Sequence, residues 1–255
     1  MIPKSGAGQD STEAMVLPNS GLPVKWCLPQ ATWRERQRFG EVARTLIRLP
    51  EPHEDPLEVL LTEAAWRQLV PADAHEETVL AALSQETGIY FFPSQEWVLR
   101  FCRLVELLGV TRILEAGAGR GYLAAALAPQ CARRGMSFLA VDSAQAEFES
   151  GLPRHPVVRL GSTLEAVREF YPELVLSAWP PPGQSIGPLL ASAGVRFVLV
   201  VGEDQGGCTG DPGDWRTLAP RLIKSLSRCG LGRSGRRCHT ATLFIGKKGR
   251  GKRER

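Results

Sequence analysis

Ile113-Leu114-Glu115-Ala116-Gly117-Ala118-Gly119-Arg120-Gly121-Tyr122 joins a short apolar run to a glycine-rich turn, and an Ala/Leu-rich segment of helical character follows. Glycine lets a backbone take left-handed angles and approach a ligand closely. A helix that starts at such a turn presents unpaired N–H groups. Strand, glycine turn and helix in that order suit a nucleotide-like ligand.

Working outward, the same alternation recurs. Arg112–Ala116, Ser137–Val141, Val157–Leu160, Leu174–Ala178, Val195–Val201 and Thr240–Ile245 read as strands, with helical stretches between most of them. Ser162 followed by Glu165 is a capping box for the helix after the third strand. Strand–helix alternation predicts an α/β fold: a doubly wound, mostly parallel sheet of six or seven strands. Pro129 predicts a short or kinked helix after the first strand. A seventh strand would have to lie between Leu222 and His239, where Gly230–Arg237 is a poor strand sequence.

Upstream, Trp33–Ile47, Pro56–Val70 and Glu76–Gln85 read as helices, with Pro56 and Pro71 at starts. Ser94 precedes an amphipathic helix on which Trp97, Phe101, Leu104, Val105 and Leu108 recur at helical spacing, and Gly109 stops it. The organisation is therefore a polar segment 1–30 expected to be disordered, an N-terminal helical extension 31–90, an α/β domain 91–246 and a basic tail 247–255. No apolar run approaches the roughly 20 residues of a membrane helix, so no membrane partner is expected and the chain reads as cytoplasmic. The six cysteines form no C-x-x-C pair and read as reduced thiols. Cys229, Cys238 and His239 fit no common zinc spacing, so no metal is expected. The net charge is +4; the tail carries six basic residues against one acid, +5, which leaves the other 246 residues at −1. That tail is either a solvated terminus or a contact for nucleic acid.

The glycine spacing selects the ligand. A dinucleotide fingerprint counted from Gly117 needs glycine at 122, where Tyr122 stands; counted from Gly119 it needs glycine at 124, where Ala124 stands. The glycines fall instead at 117, 119 and 121, with Glu115 two places earlier. A carboxylate there repels pyrophosphate and attracts a cation. Asp142 ends the second apolar run, 21 residues after Gly121, where it either accepts ribose hydroxyls or caps a helix.

The run E-x-G-x-G-x-G resembles the first motif of class I, Rossmann-like S-adenosylmethionine-dependent methyltransferases. W-P-P at Trp179–Pro181 and G-E-x-x-G-G-C-T-G-D at Gly202–Asp211 are similar to a methyltransferase-like group with no established acceptor, over about Leu114 to Trp215. The resemblance implies S-adenosyl-L-methionine as cofactor, held by Glu115, Gly117, Gly119, Gly121 and Asp142. It also implies an adenine contact near Ser162, which otherwise caps a helix, and a cover over the cofactor from Tyr90. On the acceptor side stand Trp179 and Glu203, which end neighbouring strands and are read as catalytic, Glu203 as a base or cation contact. Packing of Trp179 and solvated acids at Glu203 and Asp211 are the bland alternatives. Three functions stay open: a methyltransferase of small molecules, slightly favoured; one acting on protein or RNA; and a cofactor-binding protein without turnover.

Overall fold

The computed structural model describes residues 39–40, 45–69, 76–144, 152–203, 209–218, 220–227 and 240–246. The expectations for 1–30, for the tail, for Pro71, for Cys229, Cys238 and His239, and for Gly230–Arg237 lie outside these residues.

Seven strands form one sheet: β1 Arg112–Ala116, β2 Ser137–Asp142, β3 Val158–Leu160, β4 Leu174–Ala178, β5 Phe197–Gly202, β6 Arg221–Leu222 and β7 Thr240–Ile245. Their order is β3-β2-β1-β4-β5-β7-β6. The first five are parallel, and β7 runs antiparallel between β5 and β6. The expected α/β doubly wound sheet is therefore present. Its order differs from the 3-2-1-4-5-6 of dinucleotide-binding folds, because an antiparallel strand is inserted before the edge. The seventh strand lies just ahead of the Gly/Arg-rich stretch. Arg221–Leu222 is only two residues long, too short to carry an alternation signal.

The helices that the described residues span from end to end are α1 Glu63–Leu69, α2 Glu76–Thr87, α3 Gln95–Leu107, α4 Tyr122–Ala132, α5 Thr163–Phe170, α6 Gly187–Ala191 and α7 Pro212–Thr217. Ser94 caps α3 by accepting from the Trp97 N–H at 3.0 Å, and Gly109 follows with a left-handed φ of 59°. Arg196 donates to the carbonyls of Leu108 and Gly109 beyond the C-terminus of α3 and pairs with Glu173, tying this helix to β4 and β5. Two expectations need correction. Pro56 starts no helix: residues 56–59 form turns, and Thr62 caps the helix at Glu63 by accepting from the Ala65 N–H. α4 continues three residues past Pro129, which has no N–H to donate to the Ala125 carbonyl.

Alternation along the strands builds two cores. Leu174, Leu176, Phe197, Leu199 and Val201 face one side, with Trp97, Phe101, Phe92 and Leu83 from the N-terminal helices. Val175, Val198, Val200 and Phe244 face the other, against Val167, Ile186 and Leu189. β5 is buried along its whole length, as a strand covered on both faces must be. The N-terminal helices thus form one of the layers over the sheet and share its core. The Trp97 indole donates to the Leu226 carbonyl at 2.8 Å and ties that layer to the C-terminal segment.

Candidate active site

In an open α/β sheet, ligands bind beyond the carboxyl ends of strands, where the strand order reverses. Here the reversal lies between β1 and β4. A cavity of about 540 Å³ opens there, lined by the ends of β1, β2 and β4 and by the strap 88–91 between α2 and α3.

The glycine turn forms its floor. Gly117, Gly119 and Gly121 have φ of 73°, 55° and 83°. A side chain built on Gly117 or Gly119 would meet nothing within 4 Å, because it would project into open space. Gly121 differs: a Cβ there would come 2.6 Å from Val158, and the residue does not line the cavity. Its glycine serves packing against β3 and stands back from the cavity.

Four of the turn's own amides are already used. Gly117 and Ala118 donate to the Val141 carbonyl, Gly121 donates to Ala118, and Gly119 donates to Asp142 Oδ2 at 2.8 Å. Asp142 Oδ1 accepts from the Ala144 N–H at 2.7 Å. Asp142 therefore pins the turn to the end of β2 while lining the cavity. Phosphate oxygens approaching the turn would meet a carboxylate in their way.

Glu115 ends β1 in the wall of the same cavity. It is only 2% exposed, and its Oε2 has no hydrogen-bond partner. Burial pushes its carboxyl up to about 8, and the charge on Asp142 adds to the push. An unsatisfied buried carboxylate is destabilising until a donor or cation reaches it. A cationic ligand in the cavity is such a group.

Solved structures similar to this chain include three methyltransferase-type or cofactor-bound proteins. The methyltransferase domain of bacterial CtHen1 is 11% identical, covering 59% of this chain and 98% of its own, with a TM-score of 0.40. The O-methyltransferase from Bacillus cereus in complex with SAH is 15% identical, covering 82% and 99%, with a TM-score of 0.40. Cofactor-bound Rv0187 from MTB is 16% identical, covering 64% and 84%, with a TM-score of 0.40. No family model and no curated protein matches the chain. At these identities and scores the likeness carries nothing about the chemistry, which rests on the site's own geometry.

The remaining expected residues divide. Tyr90 lines the cavity from the strap, and burial pushes its hydroxyl well above the usual tyrosine range. Phe91 beside it also lines the cavity and packs edge-on against Trp97. Ser162 does not line it: its hydroxyl accepts from the Glu165 N–H as the cap of α5, and the next residue, Thr163, reaches the cavity instead. Trp179 lines it while only 7% exposed, and its backbone sits at φ 54°. For a bulky residue that conformation costs about 1–2 kcal/mol. The Trp179 N–H donates to the Val201 carbonyl at 2.7 Å, which holds it there.

Glu203 stands apart from the other expected residues. It is buried at the end of β5, and it is not among the residues that line the cavity. Its backbone N–H donates to Thr209 Oγ1 across the tight approach of Gly202 to that residue. The strand end turns here onto Thr209, so a place at a carboxyl end does not bring the side chain to the cavity. Asp211 caps α7 by accepting from the Gly213 N–H. The acid that matters in this region is Asp214, buried, which accepts from Ser185 Oγ and the Ile186 N–H. Together with the Gly183–Gly210 and Gly210–Pro180 backbone bonds, it fixes the proline loop that forms the cavity's far wall.

Ser177, Gln184 and Arg154 also line the cavity and were not singled out in the sequence. Ser177 belongs to the run before Trp179, where its place on the strand pointed to it. Arg154 lies in a connection with no motif, and nothing in the sequence marked it.

Proposed function

We propose that this protein is an S-adenosyl-L-methionine-dependent methyltransferase. The single observation that carries the reading is the buried Glu115 carboxylate, without a partner for Oε2, beside a glycine turn whose three glycine amides are engaged internally. That pairing suits a cationic, phosphate-free nucleoside better than a dinucleotide. The chain's residues fit the cofactor: open space above Gly117 and Gly119, Glu115 for its ammonium, and Asp142 with spare lone pairs for ribose hydroxyls. When bound, the cofactor supplies an electrophilic methyl on a sulfonium.

The protein's part is chiefly positional. Glu115 and Asp142 fix the cofactor's two ends. Tyr90 and Phe91 cover it from the N-terminal layer and keep water out. Ser177, Trp179 and the prolines after it shape the acceptor's side at the end of β4. A base is needed only for an acceptor that enters protonated. We place no base at Glu203.

We favour a small-molecule acceptor, because the cavity's size falls in the range of small-molecule sites. Nucleic acid or protein reached through the basic tail is the competing acceptor class. We also place the protein in the cytoplasm, which the free thiols of the neighbouring Cys102 and Cys131 support. No helix among the described residues is long and apolar enough to cross a membrane. The test is methyl transfer from labelled cofactor to panels of small amines, thiols and hydroxyls and to RNA and protein, with the full chain and with a chain ending at 246. Equal turnover of small acceptors by both chains supports the small-molecule reading. Activity confined to RNA or protein and lost with the tail overturns it.

A further inference from the structure

We propose that Arg154 is the anion-binding residue of this cavity and takes a carboxylate of the bound ligand. The proposal rests on the reading of the cavity as a cofactor site and assigns a residue that reading leaves unexplained.

The connection before β3 is fixed at both ends of a short strap. The Leu152 N–H donates to the Thr87 carbonyl at the end of α2, and the His155 N–H donates to the Arg120 carbonyl in the glycine turn. Between these bonds, Arg154 lines the cavity beside the turn and the 88–91 strap. Its Nε is buried and has no hydrogen-bond partner, and no carboxylate among the described residues pairs with its guanidinium. Three other arginines are paired: Arg134 faces Glu106, Arg159 faces Glu169 and Arg196 faces Glu173. An arginine that covers its Nε without a partner leaves a charged donor unsatisfied, which is destabilising. A planar guanidinium matches a carboxylate through two parallel hydrogen bonds.

The cavity wall therefore carries an acidic and a basic side chain, each with a buried atom that has no partner: Glu115 Oε2 and Arg154 Nε. A ligand with an ammonium and a carboxylate answers both. The amino-acid end of the cofactor has these two charges on one carbon. The other source of the same chemistry is an acid group on the acceptor. Arg120 also lines the cavity and adds positive potential on this side.

The experiment uses the full chain and R154Q, with R154K to retain charge. Each is titrated calorimetrically with S-adenosylhomocysteine and with methylthioadenosine, which lacks the amino-acid end. A cofactor source gives R154Q a loss of roughly ten- to hundredfold for S-adenosylhomocysteine, the range for hydrogen bonds to a charged group. R154K restores part of it, and methylthioadenosine binds all three chains alike, which also shows that they fold. An acceptor source leaves S-adenosylhomocysteine unchanged; benzoate or phosphate then raises the melting temperature of the saturated wild type more than that of R154Q. Both results support an anion site at Arg154. Unchanged S-adenosylhomocysteine affinity together with equal stabilisation by the anions overturns it. If the wild type binds neither nucleoside, the cofactor reading fails by itself, and the same anion comparison on the ligand-free chains decides Arg154.

Discussion

Replacing Glu115 by Gln separates the charge of the β1 carboxylate from its shape. In the ligand-free protein burial holds this carboxyl up at about 8, against about 4.5 for an unperturbed glutamate. Between those values the folded state keeps a proton that the unfolded state has lost. Stability then falls as pH rises through this window, and levels off above it. At about 1.4 kcal/mol per pH unit the loss reaches on the order of 5 kcal/mol, an upper bound for a group 2% exposed. The amide of E115Q has no such dependence. Urea midpoints of the two ligand-free proteins at pH 5 and pH 8.5 should therefore diverge, E115Q gaining several kcal/mol on the wild type at the higher pH. Binding has the opposite sign. An ammonium beside it favours ionised Glu115, so S-adenosylhomocysteine, which carries one, should displace close to one proton at pH 7. Calorimetry in two buffers of different ionisation enthalpy reads this directly, and in E115Q the release should vanish with roughly a hundredfold of affinity. Parallel stability profiles and no proton release would refute the reasoning.

Asp142→Ala removes the acceptor for the Gly119 N–H and frees the turn from the end of β2. Cofactor affinity should fall by about 1–3 kcal/mol, with amide exchange across 117–121 rising; unchanged exchange would return Asp142 to an incidental place. Trp179→Ala should lose about 3 kcal/mol of stability, since a packed tryptophan is removed. S-adenosylhomocysteine affinity should stay within a few fold while turnover of any acceptor drops; equal loss of both would make the tryptophan purely structural. Arg196→Ala should lower the melting temperature and leave cofactor affinity alone, because its contacts lie at the far end of β5 from the cavity; a change in affinity would contradict that separation.

The parallel sheet was legible because each strand is a short apolar run beside a helical stretch. The glycine turn was legible because Gly117, Gly119 and Glu115 are each needed by local geometry or charge. What stayed hidden depended on contacts far apart in sequence. Gly121 looks like its neighbours, yet the β3 side chain of Val158, well downstream, decides its role. Glu203 holds the right place along its strand, but the approach of Thr209 closes that strand end. Ser162 was open between two roles, and its bond to the Glu165 N–H shows the cap. Arg154 carries no pattern of its own, because two backbone bonds to distant segments put it at the cavity. β6 is too short for any periodicity to reveal.

The central claim is that the cavity between β1 and β4 is built for a cationic nucleoside without phosphate. Isothermal titration of the wild-type chain with S-adenosylhomocysteine, S-adenosylmethionine and NAD tests it most directly. The account predicts saturable binding of the first two and none of the third. Tighter binding of NAD than of either would contradict it.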